Sequence, residues 1–302
     1  MAYSNGTANS FADLQVALVS ACTAQGWAWS DNILSKGNVF VQLESSATAL
    51  TATGGTGVSG GVLQGATPRK LQIRRLNTGA APVITWPVNY ETFIFDNEVY
   101  FVVQHDDIYF LYMAFGQSTI AMPGTGMWVS ASVTDYVNNY GIHITPDAGG
   151  ASSYTSDCPG IFYATYGSGE NQGHPYYVHC GLDGRGWNQD FSNTTYAGAS
   201  APGILSVEPF NKMLPNQWNS EGILLPMRCY AFRPSSKTSV IADLKYARHT
   251  RIDNFEPGQV ITIGTDKWKI FPNFCKNATA RDGGGRIYHT GTFGWAVRYE
   301  GA

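Results

Sequence analysis

Charged side chains are scarce in this sequence: they make up 14% of its 302 residues, with 19 basic against 22 acidic. Globular proteins average about 25%, so Gly, Ser, Thr, Asn and Tyr must cover most of the surface. A protein that binds nucleic acid through its phosphates needs a basic excess, and the formal charge of −3 supplies none. We therefore expect no nucleic-acid partner.

Long apolar segments and a leader are also missing. No apolar run reaches the roughly 18 residues that a membrane-spanning helix needs, and residues 1–6 contain neither the basic nor the apolar region of a secretory signal. The five cysteines are odd in number, far apart and without a CxxC pair. We expect reduced, mostly buried thiols, no membrane contact and no metal or other cofactor.

Glycine and aromatic residues, by contrast, are abundant: there are 34 glycines, and 13% of the chain is aromatic. Glycine costs about 1 kcal/mol inside a helix, whereas aromatic side chains fit a pleated sheet. The composition therefore predicts a mainly β fold built from β-sandwich-like domains.

One helix is predicted near the N-terminus. Ser10 followed by Asp13 resembles a capping box, and Gly26 is placed to end the helix. Four apolar residues recur at helical spacing on one face: Phe11, Leu14, Leu18 and Cys22. We expect this face to pack on the first sheet.

Composition divides the chain into three predicted domains. Residues 1–117 hold the helix and a series of strand-length apolar runs. Within them, the uncharged stretch 51–65 is predicted to be a flexible loop or turn cluster. Residues 118–226 form an aromatic and Gly-rich β domain, a candidate for projecting outward. Residues 227–302 form a basic β domain with a hairpin at 259–271, a candidate for packing with the first domain.

The middle domain contains Tyr and Trp residues spaced by small polar residues. This pattern is typical of recognition surfaces as well as of loop-rich cores, and both interpretations remain open. If the domain recognises host surface glycan, the candidate contact residues are Trp187, Trp218, Tyr176 and Tyr177.

No catalytic constellation stands out, since the chain lacks a GxSxG elbow. His174, His179 and Cys180 lie in one segment, but their spacing fits no standard metal site. Four acids are candidates for the paired carboxylates of a glycosidase: Glu170, Asp183, Asp190 and Glu208. Because the sequence does not say whether two of them meet, a surface-polysaccharide hydrolase stays open as an alternative.

Basic residues collect in the last third of the chain. They include Lys245, Arg248, Arg251, Lys267, Lys269, Lys276, Arg281, Arg286 and Arg298. The asymmetry indicates either an oriented molecule whose basic end faces an acidic partner or an ordinary solvated face.

Two parts of the chain resemble a family of virion structural proteins of tailed bacteriophages. The resemblance covers roughly the N-terminal 130 and the last 70 residues, and it is carried by 98–103, 108–116, 124–128, 251–258, 268–272 and 289–296. It implies a non-enzymatic, homo-oligomeric component of the neck, collar or tail, made in the bacterial cytoplasm and located in the virion. The implied partners are copies of the chain and other head–tail connector or tail proteins.

Within this interpretation, we expect subunit association to use aromatic and arginine anchors. The interface candidates are Trp86, Tyr100, Tyr109, Trp128, Arg74, Arg248 and Arg251. Each has an alternative as a core or solvated residue.

Overall fold

The computed structural model describes residues 1–74, 84–135, 176–188, 222–235, 237–276 and 293–301. Strands are numbered along the chain. A seven-stranded antiparallel sheet, the central sheet, lies in the middle of the fold. In spatial order its strands are β1 (Ala2–Ala8), β9 (Val88–Ile94), β10 (Glu98–His105), β11 (Tyr109–Gln117), β12 (Met127–Ala131), β14 (Tyr176–His179) and β15 (Trp187–Asn188).

A six-stranded sheet, the second sheet, packs with helix α1 (Phe11–Thr23) on one face of the central sheet. Its strands, again in spatial order, are β13 (Val133–Thr134), β8 (Leu71–Arg74), β5 (Ala49–Gly55), β4 (Val39–Ser45), β3 (Ile33–Lys36) and β2 (Ala28–Ser30). A separate hairpin of β6 (Gly57–Ser59) and β7 (Val62–Gln64) follows β5.

A five-stranded sheet, the third sheet, covers the opposite face of the central sheet. Its strands are β16 (Leu225–Arg233), β17 (Lys237–Arg251), β20 (Phe293–Tyr299), β19 (Asp266–Pro272) and β18 (Val260–Ile263). A short 3-10 turn, Leu182–Gly184, separates β14 from β15.

Two cores result from this layering, because successive side chains of a strand point to opposite faces. On β10, Phe101 faces the helix and the second sheet, whereas Tyr100 and Val102 face the third sheet. We call the first the helix-side core and the second the aromatic core. The predicted mainly β fold, with one N-terminal helix packed on the sheets, is confirmed.

The predicted N-terminal helix is confirmed in detail. The Asp13 backbone N–H donates to Ser10 Oγ at 3.1 Å, and the Asp13 carboxylate accepts the Asn9 N–H at 2.9 Å. These bonds satisfy amides that have no partner within the first helical turn. All four residues of the predicted apolar face are buried: Phe11, Leu14, Leu18 and Cys22.

The flexible loop or turn cluster predicted at 51–65 is wrong for most of the stretch, which forms strands joined by a turn at Gly60-Gly61. Every residue of β5 is buried, and β6 and β7 form an ordered hairpin with a Gly60-Gly61 turn. The small uncharged residues serve close packing between sheets: a Cβ on Gly54 would lie 2.9 Å from Val129 of the central sheet. A Gly- and Thr-rich composition therefore marks tight layer contact here.

The boundary predicted at residue 117 falls within one sheet, because β12 pairs with β11 and β14 pairs with β12. Residues 136–175 and 189–221, most of the predicted middle domain, lie outside the described residues. The predicted C-terminal hairpin is present as β18 and β19, and its sheet packs on the central sheet through the aromatic core.

Candidate functional site

The hairpin β6–β7 and the strand pair β14–β15 meet at one surface, which we call the hairpin patch. It comprises Val58, Val62, Gly65, His179 and Trp187. Val58 is 42% and Val62 61% exposed, on opposite faces of the hairpin, because Val58 pairs with Leu63 and Val62 with Ser59. Residues 45–68 contain no charged side chain. The indole Nε1 of Trp187 donates to the Gly65 carbonyl at 2.7 Å, which fastens the base of the hairpin to the central sheet.

Local geometry explains why the hairpin stands where it does. Gly60 and Gly61 both have positive φ, +58° and +76°, as a two-residue hairpin turn requires. Leu63 folds back on β5, where a Cβ on Gly55 would lie only 2.4 Å from its side chain. The carboxylate of Asp31 lies beside the turn at Gly61. The hairpin is thus fixed at both ends while its valines face solvent.

His179 presents a hydrogen-bond donor on the hairpin patch. Its Nδ1 accepts the backbone N–H of Thr125 at 3.1 Å, so in the neutral ring the proton lies on Nε2. Desolvation lowers the pKa of His179, which favours this neutral form. The ring contacts Trp187 edge-on, with centroids 5.0 Å apart. An N–H donor beside an indole is a combination that suits a neutral polar ligand.

Of the three glycan-contact candidates that the structure describes, only Trp187 is open to solvent, although the ring of the buried Tyr177 lies 6.5 Å from it. Tyr176 lies in the aromatic core and Tyr177 in the helix-side core, and both are buried. Trp187 is half-buried and belongs to the hairpin patch. Trp218 lies outside the described residues.

Asp183 is the only one of the four candidate acids that the structure describes, since Glu170, Asp190 and Glu208 lie outside it. Its carboxylate accepts two hydrogen bonds from Arg233, both 2.9 Å. The Arg233 hydrogen bond holds the pKa of Asp183 below its ordinary value. The lowered pKa does not fit the general acid of a glycosidase. The ion pair links the 3-10 turn to the end of β16.

Two of the interface candidates are core residues. Tyr100 and Trp128 are both 0% exposed, and their rings lie 6.0 Å apart in the aromatic core. Alternation explains the burial: the central sheet is covered on both faces, so neither face of its inner strands meets solvent. The structure removes these two residues from the candidate interface.

The other aromatic candidates are half-buried within the fold. Trp86 packs edge-on against Phe11 of α1 at 5.2 Å, and Tyr109 stacks on His105 at 5.2 Å. Both lie against the helix-side core. Their contacts are internal to the chain.

The arginine candidates also make internal contacts. Arg251 binds the Asp253 carboxylate through two nitrogens, and Arg248 lies 5.2 Å from the Trp268 ring while donating to two backbone carbonyls. Arg74 is half-buried, and burial lowers its pKa.

Most cations of the basic C-terminal third are paired inside the molecule as well. Lys269 reaches across to Glu91 of β9, and Arg298 pairs with Asp266. Lys276 is buried, and its ammonium donates to the Ile252 and Asp253 carbonyls at 2.6 and 3.0 Å. Lys245 and Lys267 are the exposed members that the structure describes; Arg281 and Arg286 lie outside it. The basic cluster therefore mainly fixes the third sheet in place.

Sequence reasoning missed a buried carboxylate, Glu98, at the start of β10. Its oxygens accept the Tyr100 hydroxyl at 2.6 Å and the backbone N–H groups of Lys245 and Tyr246 at 2.9 and 3.2 Å. Those amides are available because the register of β17 on β16 jumps from Leu244 to Arg248. Burial outweighs these bonds and raises the pKa of Glu98 to about 6.

His249 is a second buried titratable group that the sequence did not single out. Its ring lies on β17 opposite Trp295, and its Nε2 has no hydrogen-bond partner among the described residues. Desolvation lowers its pKa to about 4. The ring is therefore held neutral at physiological pH.

Known proteins provide no further assignment: no protein-family model matches the chain, and no curated protein matches it. Within the described ranges, no helix is long and apolar enough to cross a membrane. The same ranges contain no cluster of three or more His, Cys, Asp or Glu side chains that could hold a metal ion.

Proposed function

We propose that the protein is a non-enzymatic structural component of a tailed-phage particle, assembling as a homo-oligomer at the neck, collar or tail. The observation that carries the proposal is the hairpin patch, where a hairpin without charged residues is held in place and exposes Val58 on one face and Val62 on the other. The resemblance of residues 98–128 and 251–296 to phage virion proteins supports the same conclusion.

The hairpin patch has the composition of a protein contact. Interface cores are depleted of charge and exclude water with apolar side chains. The Trp187 bond to Gly65 and the packing of Leu63 on Gly55 hold the hairpin in place, so little conformational entropy is lost when a partner binds. In this proposal, the hairpin patch docks on a neighbouring protein of the particle.

Particle composition tests the proposal. We expect the chain in purified virions by mass spectrometry, with antibody label at the neck or tail in electron micrographs. Val62→Lys is expected to fold but to be lost from the particle, because a lysine in the contact must be desolvated. Val16→Lys is the matched control: Val16 is 64% exposed on α1 and distant in sequence from the hairpin, and this variant is expected to be incorporated. A chain absent from wild-type particles would contradict the proposal.

Docking of host surface glycan is a second candidate function, favoured by the Nε2–H of His179 beside Trp187. We expect binding on a glycan array that His179→Ala abolishes, with circular dichroism to check that the variant folds despite the loss of the Thr125 bond. Val16→Lys again serves as the surface control. An array without any bound glycan would reject this second function and leave the first intact.

A further inference from the structure

Edge strands of two layers lie on the same side of the molecule. β1 is the outer strand of the central sheet, and β18 is the outer strand of the third sheet. The ring of Tyr3 on β1 contacts Tyr299 on β20 at 5.1 Å, and its hydroxyl lies 3.3 Å from the Lys269 ammonium on β19. The two edges therefore form one flank of the molecule, which we call the β1/β18 flank.

The β1/β18 flank lacks the protection that exposed edges normally carry. Natural proteins block edge strands with lysine, proline or a bulge, because unpaired backbone groups recruit other strands. Neither Ala2–Ala8 nor Val260–Ile263 contains a charged residue or a proline. On β18, Val260 is 40% and Ile263 37% exposed.

The opposite edge of the third sheet differs. Strand β16 carries Arg228 and Arg233, whose guanidinium groups pair with Asp243 and Asp183. A second chain approaching this edge would meet these ion pairs, whereas β18 offers uncharged β-branched residues. Among the described residues, the contrast identifies the β1/β18 flank as an edge open to strand addition.

We propose that the β1/β18 flank binds the same flank of a second copy, with β18 pairing antiparallel to β18 across a two-fold axis. The proposal rests on the homo-oligomer of the proposed function and names its contact. A two-fold axis perpendicular to the sheets brings β18 against its own copy and places the two β1 strands on either side of the same axis. Two uncharged edges match each other, whereas a charged partner would find no counter-charge on either strand.

Charges near the flank are already neutralised within one copy. Asp266, at the turn after β18, pairs with Arg298, and the N-terminal ammonium lies 3.7 Å from Glu300. Lys269 pairs with Glu91. Lys267 is exposed, but it lies on β19, one strand in from the edge. Like charges therefore do not face each other when two flanks meet.

The double variant Thr7→Lys/Ile263→Lys tests the contact. Thr7 is exposed on β1, and Ile263 lies opposite Asp266 in the β18–β19 ladder, so each lysine is tolerated in the single copy. Each lysine would have to lose water at the paired flank. We expect the full-length protein to dimerise in sedimentation velocity and the double variant to dimerise at least about tenfold more weakly, equivalent to ~1.4 kcal/mol.

The matched control is Val16→Lys/Ile223→Lys, which adds the same two charges at exposed apolar residues outside both the β1/β18 flank and the hairpin patch. It is expected to dimerise like the wild type, and circular dichroism checks that both variants fold. A double flank variant that still associates like the wild type would overturn the flank contact but leave homo-oligomeric assembly standing. A wild-type chain that stays monomeric at every concentration would also overturn the flank contact. Presence or absence of the chain in virions tests the proposed function separately.

Discussion

The two faces of the central sheet are stabilised in different ways. On the helix-side core, Leu14, Leu18 and Leu34 and other mostly aliphatic side chains fill the space below α1 and the second sheet. On the aromatic core, Tyr100, Trp295 and other rings lie between the central and third sheets. The same strands supply both faces, so alternation along a strand separates two kinds of interior.

Ionisable groups sharpen the difference between the two faces. Glu98 on β10 and His249 on β17 lie buried between the central and third sheets, and Lys269 crosses to Glu91 at the margin of this interface. The His105 ring, at the end of β10, retains Asp106 as a partner at 2.8 Å. The difference teaches that the third sheet is attached through groups whose charge depends on pH, whereas α1 is attached through apolar contact.

The largest expected effect is at the centre of the aromatic core. Trp295→Ala removes a ring that contacts Tyr100, Tyr112 and Phe271 within 6 Å, and we expect a loss of about 4 kcal/mol of unfolding free energy from the cavity. Leu34→Ala in the helix-side core should cost about 3 kcal/mol. Urea denaturation measures both. If Trp295→Ala lowered the unfolding free energy less than Leu34→Ala does, the prediction that the aromatic core is the more sensitive of the two would be wrong.

His249 is expected to make the aromatic core sensitive to acid. Its pKa is about 4 in the folded chain against an ordinary value of 6.5, so the unfolded state binds the proton first as pH falls. The contribution of the neutral ring to the free energy of unfolding is complete above pH 6.5. It declines by roughly 3 kcal/mol as pH falls towards 4. His249→Phe should remove this decline, measured by denaturation across the pH range. An unchanged profile in the variant would contradict the assignment.

Glu98 is expected to change stability with pH in the direction opposite to His249. Its pKa rises from 4.5 to about 6 on folding, so the folded state binds the proton first. Its contribution is full below pH 4.5 and declines as pH rises through 6, by about 2 kcal/mol. Glu98→Gln should therefore show a steeper loss of stability in acid than the wild type, since only His249 remains. If the unfolding free energy of the two proteins fell equally steeply with decreasing pH, Glu98 would not offset the effect of His249.

Sequence reasoning predicted the local features whose cause lies within a few residues. The helix cap at Ser10 and Asp13, the apolar face that ends at Cys22 and the hairpin after Pro257 all follow from spacing and turn chemistry. The mainly β class follows from composition. These features need no information about distant parts of the chain.

The remainder depends on contacts between residues far apart in the chain. Glu98 meets the amides of Lys245 and Tyr246, nearly 150 positions away, and only a bulge in β17 makes those amides available. Gly54 shows the same limit, because a composition typical of loops serves a buried strand that touches another sheet. At the candidate site, Trp187 was singled out for its aromatic ring, but its bond to Gly65 requires the layers to be in place.

The smallest expected effect is on the helix side and should be independent of the third sheet. Ser10→Ala removes the Oγ that accepts the Asp13 N–H, which costs about 1 kcal/mol of unfolding free energy. Because no buried ionisable group takes part, the cost should be the same at pH 5 and at pH 7, and Ser10→Asp should restore most of it. Denaturation at both pH values measures this. A cost that changed with pH would show that helix attachment is coupled to the titrating groups of the aromatic core, and the two faces of the central sheet would then not be independent.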